Sequence, residues 1–112
     1  MENIEKLVIE YLAGLLSVDV YAEEPEDKPS SYVVIEQTGG GARNFIYTAT
    51  IAVQCYADTR YEASALNEEI AGYMLVMADS ENIGSCRLNG DYNFTNTATK
   101  KYRYQSVYTI VY

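Results

Sequence analysis

Apolar residues recur with a helical period at the start of the chain. Ile4, Leu7, Val8, Tyr11, Leu12 and Leu15 follow the i, i+3, i+4 rhythm and share one face of a helix. Glu2 and Glu5 lie in its first turn, where the helix dipole favours negative charge, and Gly14 and Ser17 mark its end. The period then shortens to two. Ser17–Ala22, "SVDVYA", reads as a short strand, and the Pro-containing acidic stretch "EEPEDKPSS" after it as an exposed, mobile loop. Tyr32 to Thr38 predicts a second strand. A third, from Asn44 to Ala57, places Phe45, Tyr47, Ala49, Ile51, Val53, Cys55 and Ala57 on one face, with the polar positions opposite.

Asp58–Asn82 predicts a second helix. Thr59 and Glu62 form a T-x-x-E capping box at its start. Leu66, Ile70, Met74 and Met77 form its apolar stripe, flanked by Ala63 and Tyr73. The stretch "IGSCRLNGDYNFTN" fits either a hairpin turning at Asn89-Gly90 or one strand with a glycine bulge. The last strand, Lys101–Tyr112, carries Tyr102, Tyr104, Tyr108 and Tyr112 on one parity. The element order is α-β-β-β-α-β-β. It predicts an α+β fold over residues 1–112, one domain: a mostly antiparallel sheet of four or five strands with two helices packed on one face.

Between the second and third strands stand Gly39, Gly40 and Gly41. A phosphate-binding loop would need a following lysine, a Ser/Thr for magnesium and the start of a helix. Ala42, Arg43 and Asn44 follow instead, then a strand, so the glycines read as a flexible link between strands that lets the chain reverse or a partner approach closely.

Charge narrows the partners. The net charge is −8, and the eight basic residues are scattered, densest at Lys100, Lys101 and Arg103. Gripping duplex DNA needs clustered Lys and Arg, so that role is excluded. No apolar run approaches the roughly 18 residues of a membrane span. The N-terminal segment is too acidic and periodic for a signal peptide, so the expected place of synthesis is the cytoplasm. There is no histidine, so Ser-His and Cys-His catalytic pairs are impossible. The acidic runs Glu23–Asp27 and Glu68–Glu69 read as solvated surface, with a loose divalent-cation site as the alternative. Cys55 and Cys86 match no zinc spacing and read as small apolar strand residues. No catalytic residue, cofactor or metal ligand is expected.

Tyrosine is the exception to an ordinary composition. Twelve tyrosines and no tryptophan are more phenols than a domain this small can bury with every hydroxyl satisfied. The candidate oligomer or partner contacts are therefore the acidic loop 23–30, Gly39, Gly40, Gly41 and Arg43 of the glycine link, and Tyr102, Tyr104 and Tyr108 of the last strand.

These segments taken together resemble a known family. An amphipathic N-terminal helix and an acidic Pro-containing loop lead into "YVVIEQTGGGARNF". The stretch "VQCYADTRYEASA", Val53–Ala65, joins a strand to a capped helix, and "YRYQSVYTIVY" closes the domain. This arrangement resembles the small tail-terminator and tail-completion proteins of long-tailed bacteriophages and prophages. The resemblance implies a non-enzymatic homo-oligomer, a hexameric ring at the head-proximal end of the tail tube. Such a ring stops tube growth by contacting the major tail protein and joins the tail to head-connector proteins. DNA passes through it without specific binding, and no membrane is involved. The implied locations are the host bacterial cytoplasm during assembly and the tail or neck of the virion. The rival readings are a head-completion, connector or tube protein, and a small-ligand binding module with an aromatic pocket.

Overall fold

The computed structural model describes residues 3–27, 29–80, 83–93, 95 and 102–112. Helix α1 spans Ile4–Ala13. The Asn3 side chain caps it by accepting from the Lys6 N–H at 3.1 Å. Its apolar stripe buries Ile4, Val8 and Leu12. Strands β1 (Asp19–Tyr21), β2 (Tyr32–Arg43) and β3 (Ile46–Ala57) follow. Helix α2 covers Arg60–Leu75 and the single turn α3 covers Met77–Ser80, before β4 (Ser85–Asn93) and β5 (Tyr102–Val111).

The five strands form one sheet in the order β1-β2-β3-β5-β4. Only β1 and β2 run parallel; the other three pairings are antiparallel. The α+β architecture expected from the element order is present, with the sheet at five strands. The first contact between loop and sheet is also visible here. The Tyr32 hydroxyl donates to Glu24 at 2.9 Å, so the acidic loop between β1 and β2 reaches the face opposite the helices.

The core lies between sheet and helices. Val33 and Ile35 of β2, Ala49, Ile51, Val53 and Cys55 of β3, and Tyr108 and Ile110 of β5 meet α1 and α2. Register explains this set, because residues paired across strands point to the same side: Ile35 faces Val53, and Ile51 faces Tyr108. Helix α1 packs on β1 and β2, while α2 packs on β3, β5 and β4.

Three sequence expectations need correction, and one open alternative is decided. The glycine link is not a link: β2 runs unbroken through Gly39–Gly41 to Arg43, and no glycine has positive φ. Backbone hydrogen bonding to β3 continues down both strands, so the segment needs no reversal until Arg43 pairs with Ile46. The reversal falls on Asn44 and Phe45, which begin no strand. Their φ values of 52° and 65° mark a two-residue type I′ hairpin turn. Asn89-Gly90 makes no turn; the bulge reading holds, with the register of β4 slipping between Leu88 and Gly90. The second helix is not continuous. It ends at Leu75, Val76 leaves helical geometry (φ −106°, ψ 7°), and α3 resumes at Met77, whose side chain still reaches the core. The expected C-terminal end at Glu81 and Asn82 lies outside the described residues, as do Glu2, Lys100 and Lys101.

Among the described residues no helix is long and apolar enough to cross a membrane.

Candidate functional site

Both ends of the long strands carry unusual surface. At one end is the β2–β3 hairpin tip. The burial of β2 falls from a fully covered Tyr32–Ile35 to an exposed Glu36–Arg43. Strand β1 pairs only with Tyr32–Val34, so it covers none of that exposed half. One device guards its start: Glu5 of α1 accepts from the Gln37 N–H at 2.9 Å. Beyond that point the edge is open toward solvent, the usual template for pairing with another chain.

Phe45 tops this arm at 96% exposure, followed by Ile46 at 54%. An aromatic residue at positive φ is strained by about 1–2 kcal/mol, since its Cβ crowds the backbone in a conformation normally given to Gly or Asn. The fold thus holds a large apolar ring out into water on a strained turn. Beside it lies an open groove of about 420 Å³ lined by Gly41, Ala42, Arg43, Asn44, Ile46 and Thr48.

The glycines behind the tip differ in what they do. A Cβ on Gly40 would sit 2.8 Å from the Thr48 carbonyl oxygen and 3.0 Å from Gln37 Nε2. Gly39 and Gly41 have room, with Thr50 and Thr48 hydroxyls 3.9 Å away. The bulge at Thr38 turns Gly40 toward the crowded side opposite Ala49. Close approach by the chain's own β3, not by a partner, therefore explains Gly40.

At the other end of the strands, an open cleft of about 430 Å³ is lined by Arg60, Tyr61, Ser64, Ala65 and Glu68 of α2 and by Tyr104 of β5. Tyr61 is 72% exposed. Thr59 caps α2 by accepting from the Glu62 N–H at 3.1 Å, which fixes where this first turn begins beside the cleft. The distance from the hairpin tip follows from β3, whose twelve residues span roughly 36 Å.

The seven predicted contact residues are thus dispersed. Gly39, Gly40, Gly41 and Arg43 lie on the hairpin arm. Tyr102 is exposed and Tyr104 half-buried near the cleft. Tyr108 is fully buried beneath the helices, which corrects its assignment to a contact surface. The shared parity of the last-strand tyrosines points them to the helix side of the sheet, where Tyr108 alone is fully buried in the core.

Tyr108 belongs to a polar group inside that core. Asn67, 2% exposed, donates from Nδ2 to Asp91 Oδ2 at 3.1 Å, and the Cys55 thiol points at Asn67 Oδ1 at 4.0 Å. The bulge in β4 makes the first contact possible, because it puts both Leu88 and Asp91 on the helix side. The Ser106 and Tyr108 hydroxyls are buried without a hydrogen-bond partner among the described residues. Burial pushes the Tyr108 phenol up to about 12, against a smaller lowering by the Ser106 hydroxyl, which lies close to the phenol oxygen without meeting hydrogen-bond geometry. Burial alone pushes Cys86 up to about 11 and Cys55 higher still. Both cysteines are free thiols. Upward shifts keep these groups protonated, the opposite of what activates a thiolate or phenolate nucleophile.

The face away from the helices holds a tyrosine ladder that parity alone did not reveal. Tyr32 stacks on Tyr56 with centroids 4.6 Å apart and planes within 9°, and Tyr21 meets Tyr32 edge-on at 6.2 Å. Arg103 lies 5.6 Å from the Tyr56 centroid and donates to its hydroxyl at 3.0 Å. Burial first, then the Glu24 hydrogen bond, raise the Tyr32 phenol strongly. The signal in the sequence was the pairing of Tyr32 with Tyr56, readable only once the register was known. Among the described residues no three His, Cys, Asp or Glu side chains gather as a metal-binding set.

Neither a protein-family model nor a curated protein sequence matches this chain.

Proposed function

We propose that this chain is a structural assembly protein of a long-tailed phage or prophage, a tail terminator that acts as a ring and not as a catalyst. In this reading six copies form a collar at the head-proximal end of the tail tube. The collar seats on the last ring of the major tail protein, blocks further addition and presents its other side to the head connector. With a net charge of −8 per chain, a collar of this protein repels phosphate and lets DNA pass without being held.

The observation that carries the reading is the arm of β2 and β3. An open strand edge ends in an aromatic side chain that is 96% exposed on a strained turn. The outer half of β2, Glu36–Arg43, and the tip place no side chain in the subunit's own core, which suits a protein whose working state is an assembly.

The test is to polymerise the cognate major tail protein with and without this chain. Native mass spectrometry of the chain alone should give a closed ring. Tubes grown in its presence should stop short, with the ring at one end in negative-stain images. Tubes of unchanged length and ends without added density would refute the proposal.

A further inference from the structure

We infer that copies of this chain join head to tail, with the Phe45 hairpin tip of one copy seated in the Arg60–Tyr61–Glu68–Tyr104 cleft of the next. This deepens the self-assembly reading above and rests on it.

Three observations select this occupant. Knob and socket lie at opposite ends of the long strands, so one copy cannot satisfy its own cleft. A contact between two different patches of identical chains is heterologous, and repetition of it closes a ring or runs on as a filament. Size agrees: a single aromatic side chain with its flanking residues suits an open cleft of about 430 Å³. Charge agrees as well. The tip carries Arg43 and no acid among residues 39–46, while the cleft carries Glu68. The other cationic group in the cleft, Arg60, sits eight residues from Glu68 on the same helix, about 12 Å along its axis. That separation lets Arg43 meet Glu68 while the Arg60 guanidinium lies over the Phe45 ring, beside Tyr61 and Tyr104. In a chain with net charge −8, general repulsion opposes self-association, so a local complementary contact is what such an assembly requires.

Phe45→Gly separates this role from folding. Glycine relieves the positive φ, so at concentrations low enough that both are monomeric the variant should melt at a higher temperature than the parent. Its self-association, read by sedimentation velocity over a concentration series, should weaken about tenfold or more. Arg43→Glu and Glu68→Arg should each weaken association, and the two together should restore it. Phe45→p-benzoylphenylalanine should photo-crosslink to the segment Arg60–Glu68 of another copy. If the parent assembles and Phe45→Gly, Arg43→Glu and Glu68→Arg assemble as well as it does, or the crosslink falls elsewhere, the hairpin-in-cleft contact is wrong while self-assembly stands. If the parent stays monomeric at every concentration, the self-assembly reading falls and takes this contact with it.

Discussion

Replacing Tyr108 with phenylalanine should make the protein more stable. The ring is fully buried between β5 and the helices, and its hydroxyl meets no hydrogen-bond partner among the described residues. Holding an unsatisfied hydroxyl out of water costs roughly 1–3 kcal/mol, and the substitution removes that cost. Against it stands the space left by one oxygen, on the order of 10–15 Å³. At about 24 cal/mol per Å³, that void costs roughly 0.3 kcal/mol. The ring itself keeps its position and its apolar contacts. The net gain is therefore about 0.7–2.7 kcal/mol, or roughly 4 °C in melting temperature for each kcal/mol in a chain this long. Urea denaturation should show a higher midpoint at unchanged slope. Ser106→Ala removes the neighbouring orphaned hydroxyl and should shift the midpoint the same way. A Tyr108→Phe midpoint that is unchanged or lower would refute the reasoning, because it would mean that the phenol oxygen is engaged in the folded state.

Two other perturbations check the description from different sides. Gly40→Ala places a Cβ 2.8 Å from the Thr48 carbonyl and should cost about 1–3 kcal/mol, while Gly41→Ala, with 3.9 Å of room, should stay within about 0.5 kcal/mol of the parent; equal midpoints in urea would contradict the placement of Gly40. Alkaline titration should unfold the protein progressively. Tyr108, Cys86 and Cys55 all have folded pKa values above their unfolded ones, so the native state binds more protons and stability is lost as pH rises. The loss should begin near pH 9, where unfolded thiols ionise, and continue toward pH 12. In Tyr108→Phe the phenol's own share of the loss above pH 10, about 3 kcal/mol at full extent, should vanish from stability curves measured by circular dichroism, leaving the shares of Tyr32 and the buried thiols.

Periodicity made the elements legible but not their sides. The 3.6 rhythm of Ile4, Val8 and Leu12 and the alternation of Ala49, Ile51, Val53 and Cys55 correspond to the buried faces. The same alternation, extended backward, put Phe45 on the core side, where it is not. A period-two pattern says which residues share a face; it does not say how far the helices extend over that face, and α1 ends its cover of β2 near Ile35. The turn was hidden for a related reason. Its positive-φ pair is Asn44-Phe45, and no glycine stands there to announce it, while the three glycines nearby announce a turn that does not occur. The tyrosines of the last strand were legible as a face but not as an interior one, because only register with β3 and the cover of α2 place Tyr108 inside. Asn67 gave no signal at all: an amide on a helix reads as solvated until a bulge two elements away swings Asp91 under it. The residues that local pattern misplaced, Phe45 and Tyr108, and the one it passed over, Asn67, all depend on long-range packing. Phe45 alone among them gains nothing from the fold that strains it, and for that reason it is the residue where an intermolecular contact best accounts for the cost.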